Sequence, residues 1–414
     1  MSTPLKSNIA IIGGGLASLT LALALHQRGI QCTIYEARPE EASTPGALML
    51  SPNSLRILDD LNIYIHIRTQ GFNFQTVTFQ NSHEQTTDAY HLGSAQQYGY
   101  DCLRIYRQTL LLELRAACRR AAIPIHYSHK FTHIVSEDRS TGTLTFALAA
   151  PHGTRTASLL IGADGIHSRL RTQRVAPGST AHYEGRVAIT YAPSRARARL
   201  PAACPCPVAI HGPRGAFVLA PQSADGASEL LAGTQVAFPE QDRRGWADLG
   251  ADKERLAGLL REGAETWSST VRGALADVPI ETLAIWPYYS VPRLEAWAAG
   301  RLVVVGDAAH AIPPTAGQGA SQALEDAVTF AALVGGFEGG EEGWAGVVGR
   351  WQEYRQKRVD RVLALTMQLN NTRLPAEERE KLRDGEMWKS SGDGELAWLY
   401  CADVVREMQD YVWG

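Results

Sequence analysis

Residues 8–36 read NIAIIGGGLASLTLALALHQRGIQCTIYE, and this stretch decides the fold. Asn8 to Ile12 is an apolar run that ends on three glycines, as a buried strand does before a tight turn. Leu16 to Arg28, built largely of Leu and Ala, predicts a helix, and Gln31 to Tyr35 a second strand. Strand, glycine turn, helix and returning strand make a βαβ unit, so the chain opens on a parallel sheet with nucleotide-binding topology. Gly13 permits the tight turn, and Gly15 lets backbone N–H groups approach a pyrophosphate at the positive end of the helix. Glu36, twenty-three residues after Gly13, ends the second strand, where a carboxylate accepts both ribose hydroxyls. Its charge repels a 2′-phosphate, so the turn suits the AMP half of FAD or NAD rather than NADP. Ser18 stands where a third glycine is usual and adds a small side chain at a close helix–strand contact.

Outward from this unit, IYRQTLLLELRAACRRAA (Ile105 to Ala122) predicts an amphipathic helix stopped near Pro124, with basic residues toward its C-terminal end. Strand-like segments follow at 131–136, 143–149 and 157–161, and the last runs into Gly162-Ala163-Asp164-Gly165. The character changes from about 175 to 290, where Pro- and Arg-rich loops enclose strands such as Val187 to Tyr191 and Ala216 to Leu219. A short β-run at Arg301 to Val305 then leads into Gly306-Asp307-Ala308-Ala309-His310 and a helix over Ser321 to Leu333. The chain therefore returns to its first sheet twice. The expected architecture is α/β: a discontinuous Rossmann-like domain over 1–175 and 291–335, with an inserted β-sheet substrate domain over 176–290. Some substrate-domain strands are expected near 70–105. Residues 336–414 form a C-terminal helical region, with an acidic loop over Gly335 to Gly343 and helices at 344–372 and 396–413.

Length and composition agree with that architecture. At 414 residues the chain exceeds one ordinary core. Apolar residues at 45% and charged residues at 20% describe an ordinary globular protein. Forty basic against forty-three acidic side chains leave a net charge of -3, which supplies no global drive toward nucleic acid or an anionic membrane. No apolar run is long enough to span a bilayer, and the glycines at 13 to 15 interrupt what would otherwise resemble a signal sequence. Six scattered cysteines form neither a metal spacing nor a disulfide framework; Cys204-Pro-Cys206 reads as two loop residues. A cytoplasmic protein without a metal site is expected.

Two further segments refine the ligand: Gly162-Ala163-Asp164-Gly165-Ile166-His167-Ser168-Arg169, and Gly306-Asp307-Ala308-Ala309-His310 followed by Pro313-Pro314 and Gly317-Gln318-Gly319-Ala320. With the N-terminal turn, in this order and at these separations, they resemble the group A flavoprotein monooxygenases, the family of para-hydroxybenzoate and salicylate hydroxylases and many fungal natural-product hydroxylases. The resemblance spans roughly residues 8 to 330. It implies FAD as the cofactor, NADPH or NADH as electron donor and O2 as co-substrate. It further implies transfer of one oxygen atom from a flavin C4a-hydroperoxide to an aromatic or indole-like small molecule, in secondary metabolism, by a monomer or homodimer. Related outcomes remain open: Baeyer–Villiger insertion, oxidative rearrangement, dehydrogenation, or a non-enzymatic FAD-binding relative.

By the same resemblance the DG aspartate Asp164 serves FAD and the reduced nicotinamide, and Asp307 holds the ribityl chain. Independently of it, Asp307 at a strand end offers an acceptor for polyol hydroxyls, and the turn Gly317-Gln318-Gly319 opens a helix at Ala320 whose amides face developing flavin charge. Ala47, in Gly46-Ala47-Leu48-Met49-Leu50-Ser51-Pro52-Asn53, lies in the loop resembling the family's flavin-side GAGIxLxPN, and Arg107 matches its FAD-contacting arginine. Arg38 either reaches the adenosine or forms a surface ion pair. His310 is as much a packing residue of its loop as a chemical one. Substrate activation departs from the family pattern. Thr190 stands where many fungal relatives have arginine and Phe217 where others have tyrosine, leaving the catalytic group unknown, with Arg186, Tyr191 and His211 as the substitutes at hand.

Overall fold

The computed structural model describes residues 4–414 except Arg139, Gly340 and Asp393, and omits the side chains of 341 and 342. A six-stranded sheet runs in the order Ala298–Ala299, Leu302–Val304, Leu159–Gly162, Ile9–Ile12, Cys32–Tyr35, Ile125–His126. Every pairing is parallel except the outermost, Ala298–Ala299 on Leu302–Val304. Parallel strands covered on both faces read as continuous apolar runs, and Ile9–Ile12 and Leu159–Gly162 are buried throughout. The helix Leu16–His26 is buried from Leu16 to Leu25, because the sheet lies on one side and the helix Gly319–Gly336 on the other.

Three of the predicted boundaries shift. Ile105 and Tyr106 belong not to the helix but to the strand Cys102–Tyr106, whose β-branched and aromatic residues pair antiparallel with Ala47–Leu50; the helix starts at Arg107 and ends at Arg120. The segment 396–413 is two helices, Ala397–Tyr400 and Val404–Trp413. The break lies at Asp403, whose side chain accepts from the Arg406 N–H at 3.1 Å and caps the second one. The acidic loop expected over Gly335 to Gly343 includes Gly340, outside the described residues; on either side of it run the helices Gly319–Gly336 and Glu341–Thr372.

A seven-stranded sheet forms the second half: Ala284–Ser290, His182–Tyr191, Leu230–Ala237, Gly215–Pro221, Val208–Gly212, Thr76–Gln80, Thr86–His91. It takes its last two strands from early in the chain. Its outer face carries Val187, Ile189, Tyr191, Ile210, Phe217 and Leu219 in a core closed by three helices, Arg243–Ala251, Lys253–Arg261 and Ser269–Ala276. Its inner face packs Ala209 and Phe79 toward Ala316 and the long helix Glu341–Thr372. No helix among the described residues is long and apolar enough to cross a membrane.

Candidate functional site

The carboxyl ends of three neighbouring parallel strands meet at one edge. Ile12 pairs in register with Gly162, and Gly162 with Val304. The three glycine-anchored segments leave the sheet side by side, where ligands of open α/β sheets bind.

At the first segment, the Gly13 N–H donates to the Tyr35 carbonyl at 2.9 Å and the backbone adopts φ +108°. A Cβ on Gly13 would lie 2.3 Å from the Ala163 carbonyl, so the turn and the second segment touch through a contact that only glycine allows. Gly15 caps the helix Leu16–His26 without a side-chain hydrogen bond, and a Cβ built on it would meet no atom within 4 Å. The first-turn amides thus face an open cradle, the geometry that accepts a phosphate. Glu36 is buried beside it. Its carboxylate accepts from the Gly14 N–H, from the Arg38 N–H at 2.8 Å and from Arg38 Nε at 3.3 Å. Arg38 is thus an ion-pair partner of Glu36 in this structure, and also reaches Thr44 Oγ1 at 3.2 Å.

Asp164 in the second segment accepts the Arg169 N–H at 2.8 Å with one oxygen; the other is buried and has no hydrogen-bond partner among the described residues. Burial raises this carboxyl above the ordinary range, against the hydrogen bonds it accepts. In the third segment Asp307 follows Gly306, whose N–H donates to Asp326 at 2.8 Å. Asp307 is open to solvent yet ringed by protein, which places it on the wall of a cleft. Enclosure raises its carboxyl, while Arg107 and His310 oppose the rise. Arg107, half-buried at the start of its helix, has a buried Nε without a partner among the described residues; burial lowers its pKa, Asp307 opposes that, and Arg38 adds to it. Ala47 pairs with Tyr106, and the Arg107 N–H donates to the Gly46 carbonyl at 3.0 Å, so the two predicted positions adjoin.

Gly317 (φ +67°) lies against Met49, where a Cβ would come within 2.9 Å of the methyl carbon. Gly319 and Ala320 open the helix Gly319–Gly336, which lacks any side-chain cap. Gln318 bonds instead across to Ser51 at 2.8 Å and accepts from Asn53 at 3.2 Å, tying this turn to the loop after Ala47–Leu50. The orphaned Arg107 Nε and Asp164 Oδ1, the open cradle over Gly15 and the uncapped helix at Gly319 suit a ligand with phosphates, a polyol chain and an electron-rich ring edge.

The model of the FAD-binding-domain family matches residues 6–368. The chain belongs to the FAD-dependent monooxygenase family. It is 30% identical over 412 residues to a 3-amino-4-hydroxybenzoate 2-monooxygenase of Streptomyces platensis, across 95% of this chain and 96% of that one. It is 29% identical over 337 residues to a 6-hydroxynicotinate 3-monooxygenase of Pseudomonas fluorescens, covering 78% and 81%. Among solved structures, a salicylate hydroxylase substrate complex shares the fold with TM-score 0.78 at 19% identity, over 97% of both chains. HpxO of Klebsiella pneumoniae in complex with FAD and uric acid does so with TM-score 0.73 at 21%, over 98% and 96%.

The monooxygenase's substrate sheet resolves the remaining predicted residues by face. Tyr191 points to the outer core, where its hydroxyl donates to the Ala274 carbonyl at 2.7 Å. Phe217 also points outward, edge-on to Trp267 at 6.0 Å. Because alternate strand residues point to opposite faces, Thr190 lies on the inner face while Phe217 does not, and the two do not form a pair. Arg186 is ion-paired with Glu378 at 2.9 Å. His211 is on the inner side, edge-on to Phe79 at 5.6 Å; Nδ1 lies 3.2 Å from the Gln80 carbonyl, while Nε2 is buried without a partner among the described residues. Burial, with the charges of Arg379 and Arg373, pushes this imidazole down to about 4. A carbonyl can only accept, so Nδ1 carries the proton and Nε2 presents a lone pair.

Sequence reasoning missed the polar core behind the third segment. Glu325 accepts from Arg355 at 2.7 Å, from Arg358 at 2.6 Å and from Asn53 at 2.7 Å; Asp326 accepts from His310 at 2.6 Å and Arg355 at 2.8 Å. His310 therefore orients its loop through Asp326. The available signal was a charged pair, Glu325-Asp326, inside an otherwise apolar helix, with two arginines three apart on a later one.

Proposed function

We propose that this enzyme uses NADPH or NADH and O2 to place one oxygen atom on a small aromatic or indole-like molecule, in secondary metabolism. The observation that carries the reading is the meeting of the three strand ends beside the inner face of a separate seven-stranded sheet. One wall suits a flavin nucleotide and the other suits a flat apolar substrate. The named relatives act on hydroxylated aromatic rings, which supports a substrate of that kind.

Each residue then has a physical task. The first-turn amides after Gly15 hold the pyrophosphate, Glu36 accepts from the ribose, and Arg107 with Asp307 fixes the polyol chain. The helix opening at Gly319 and Ala320 contributes about 0.3–2 kcal/mol toward negative charge at the ring edge. Bound FAD supplies the redox and oxygen-transfer chemistry, so no protein nucleophile or metal is required. Thr190, Ala216 and Val218 line the inner sheet face and keep water from the substrate. His211 Nε2, neutral near pH 7, can accept a proton or hydrogen bond from a ring hydroxyl.

The test begins with the cofactor released from purified protein. FAD is expected, and NAD(P)H oxidation should rise with an aromatic substrate while one atom from 18O-labelled O2 enters the product. Release of no flavin sinks the cofactor assignment. Flavin with stimulated NAD(P)H loss but no labelled product sinks hydroxylation.

A further inference from the structure

The segment Cys204-Pro205-Cys206 lies in a loop, as its sequence predicts, but the fold brings its two thiols together. The chain crosses here from the strand His182–Tyr191 to the strand Val208–Gly212. The Cys206 N–H donates to the Cys204 carbonyl at 2.9 Å, two residues back, a γ-turn that folds the segment onto itself. The two Sγ atoms lie 3.7 Å apart. Neighbours hold the turn from both ends. Arg195 Nη2 reaches the carbonyls of Pro201 at 2.9 Å, Ala202 at 3.2 Å and Cys204 at 3.2 Å. Beyond the turn, the Thr78 N–H donates to the Pro207 carbonyl at 3.0 Å.

The remaining cysteines are placed differently. Cys32, Cys102 and Cys118 are buried, and burial raises all three thiols, which keeps them protonated and unreactive. Cys401 is exposed, with its sulfur 4.0 Å from the Gln97 carbonyl. Cys204 and Cys206 are half-buried, so a small solute can reach them. The Cys204 thiol donates to Cys206, and with the Arg195 charge beside it the Cys206 thiol falls below its usual value although burial opposes this. Cys204 moves the other way, because it is the sulfur that keeps the proton. The pair packs on the outer core of the substrate sheet, so it takes no part in chemistry at the strand ends.

We propose that Cys204 and Cys206 form a reversible redox site, which hydrogen peroxide or an organic hydroperoxide oxidises to a disulfide within the loop. The Cys206 thiolate attacks the peroxide: an S–O bond forms, the O–O bond breaks, and the leaving oxygen takes a proton to become water or an alcohol. Cys204 then attacks the Cys206 sulfenic acid. The S–S bond forms, the S–O bond breaks, and a second water carries away the Cys204 proton. Two thiols lose two electrons and the peroxide gains them. A bridge across so short a loop removes little chain entropy, so it is no structural staple, and a thiol reductant restores the pair by exchange.

The experiment uses the full-length, FAD-loaded protein, reduced, freed of reductant and exposed to hydrogen peroxide. Remaining thiols are alkylated, and the tryptic peptide Leu200 to Arg214, which holds both cysteines and no other, is weighed. It should become two hydrogens lighter and resist alkylation, several-fold faster than Cys401 is oxidised, and dithiothreitol should reverse the change. In Cys204→Ser, Cys206 should instead stop at a sulfenic acid that dimedone traps; in Cys206→Ser, Cys204 should stay reduced at the same exposure. The redox site is refuted if the wild-type peptide keeps both hydrogens, if it gains oxygen instead of closing the bridge, or if Cys401 reacts as fast. Trapping of Cys204 in Cys206→Ser as fast as Cys206 in Cys204→Ser overturns the order of attack. The wild-type measurement needs no variant to fold.

Discussion

Two buried polar regions lie on either side of the loop Ile312–Gly317, and they keep opposite accounts. Behind the loop, Glu325, Asp326 and Arg355 are fully buried, and their charged atoms meet partners at 2.6–2.9 Å. Burial alone would raise both acids; Arg358 and Arg355 hold Glu325 at about 2, and His310 and Arg355 hold Asp326 at about 2. In front of the loop, His211 Nε2, Gln235 Oε1 and Arg379 Nε are buried without a partner among the described residues. Buried polar groups in folded proteins are nearly always satisfied, so the closed account is that of a scaffold, and the open one at the inner face of the sheet leaves polar atoms that a ligand can complete.

The largest effect should follow from opening the closed account. Arg355→Met removes partners from both Glu325 and Asp326 and leaves buried charge uncompensated, which costs roughly 3–5 kcal/mol. Urea denaturation should show a large fall in the unfolding midpoint, with FAD lost in parallel because His310 and Gly306 lose the orientation that Asp326 gives them. Wild-type stability in this variant would remove the scaffold role. Next in size, Asp307→Ala leaves the fold intact and deletes a charge-assisted acceptor worth roughly 1.5–3 kcal/mol. FAD should bind on the order of tenfold to a hundredfold more weakly by flavin fluorescence titration, with the thermal transition of the apoprotein unmoved.

How much of this was legible in the sequence follows from the same contrast. The strand-turn-helix signals lie within a few residues of one another, so Gly13, Gly15 and Glu36 could be read from local chemistry. So could three substrate-domain helices that the loop-rich reading passed over: Asp242, Asp252 and Ser268 each cap one, accepting from Gly245, Arg255 and Val271. Their Pro- and Arg-rich surroundings masked them. The pairing of Glu325 with Arg355 and Arg358 depends on how two distant helices pack, and a single sequence carries no such information. Strand register was likewise hidden. Thr190 and Phe217 read as neighbours in function, yet a one-residue parity puts their side chains on opposite faces.

Acid separates the regions in a way that needs no cofactor. His211 titrates at about 4 in the folded protein against an ordinary 6.5, so between those values the unfolded chain binds more protons. Its stabilising contribution is complete above pH 6.5 and is lost as pH falls toward 4. From pH 7 to 5 the loss should be on the order of 1–2 kcal/mol. Glu325 and Asp326, held at about 2, contribute stability above their ordinary range and lose it only as pH falls through about 4 toward 2. Unfolding midpoints measured from pH 7 to 5 should flatten in His211→Asn and keep their slope in Glu325→Gln; the reverse assignment would dissolve the distinction.

The smallest expected effect is the sharpest on which face of the sheet does chemistry. The Tyr191 hydroxyl already donates to Ala274 inside the outer core, so it belongs to the closed kind of account. Tyr191→Phe removes one neutral hydrogen bond and should cost about 1 kcal/mol, a shift of about one degree in the thermal midpoint of a chain this long. Substrate-stimulated NAD(P)H oxidation should stay at the wild-type rate, because nothing on the inner face changes. A loss of turnover at unchanged stability would place catalysis on the outer face, and would oblige the sheet to present its other side to the strand ends.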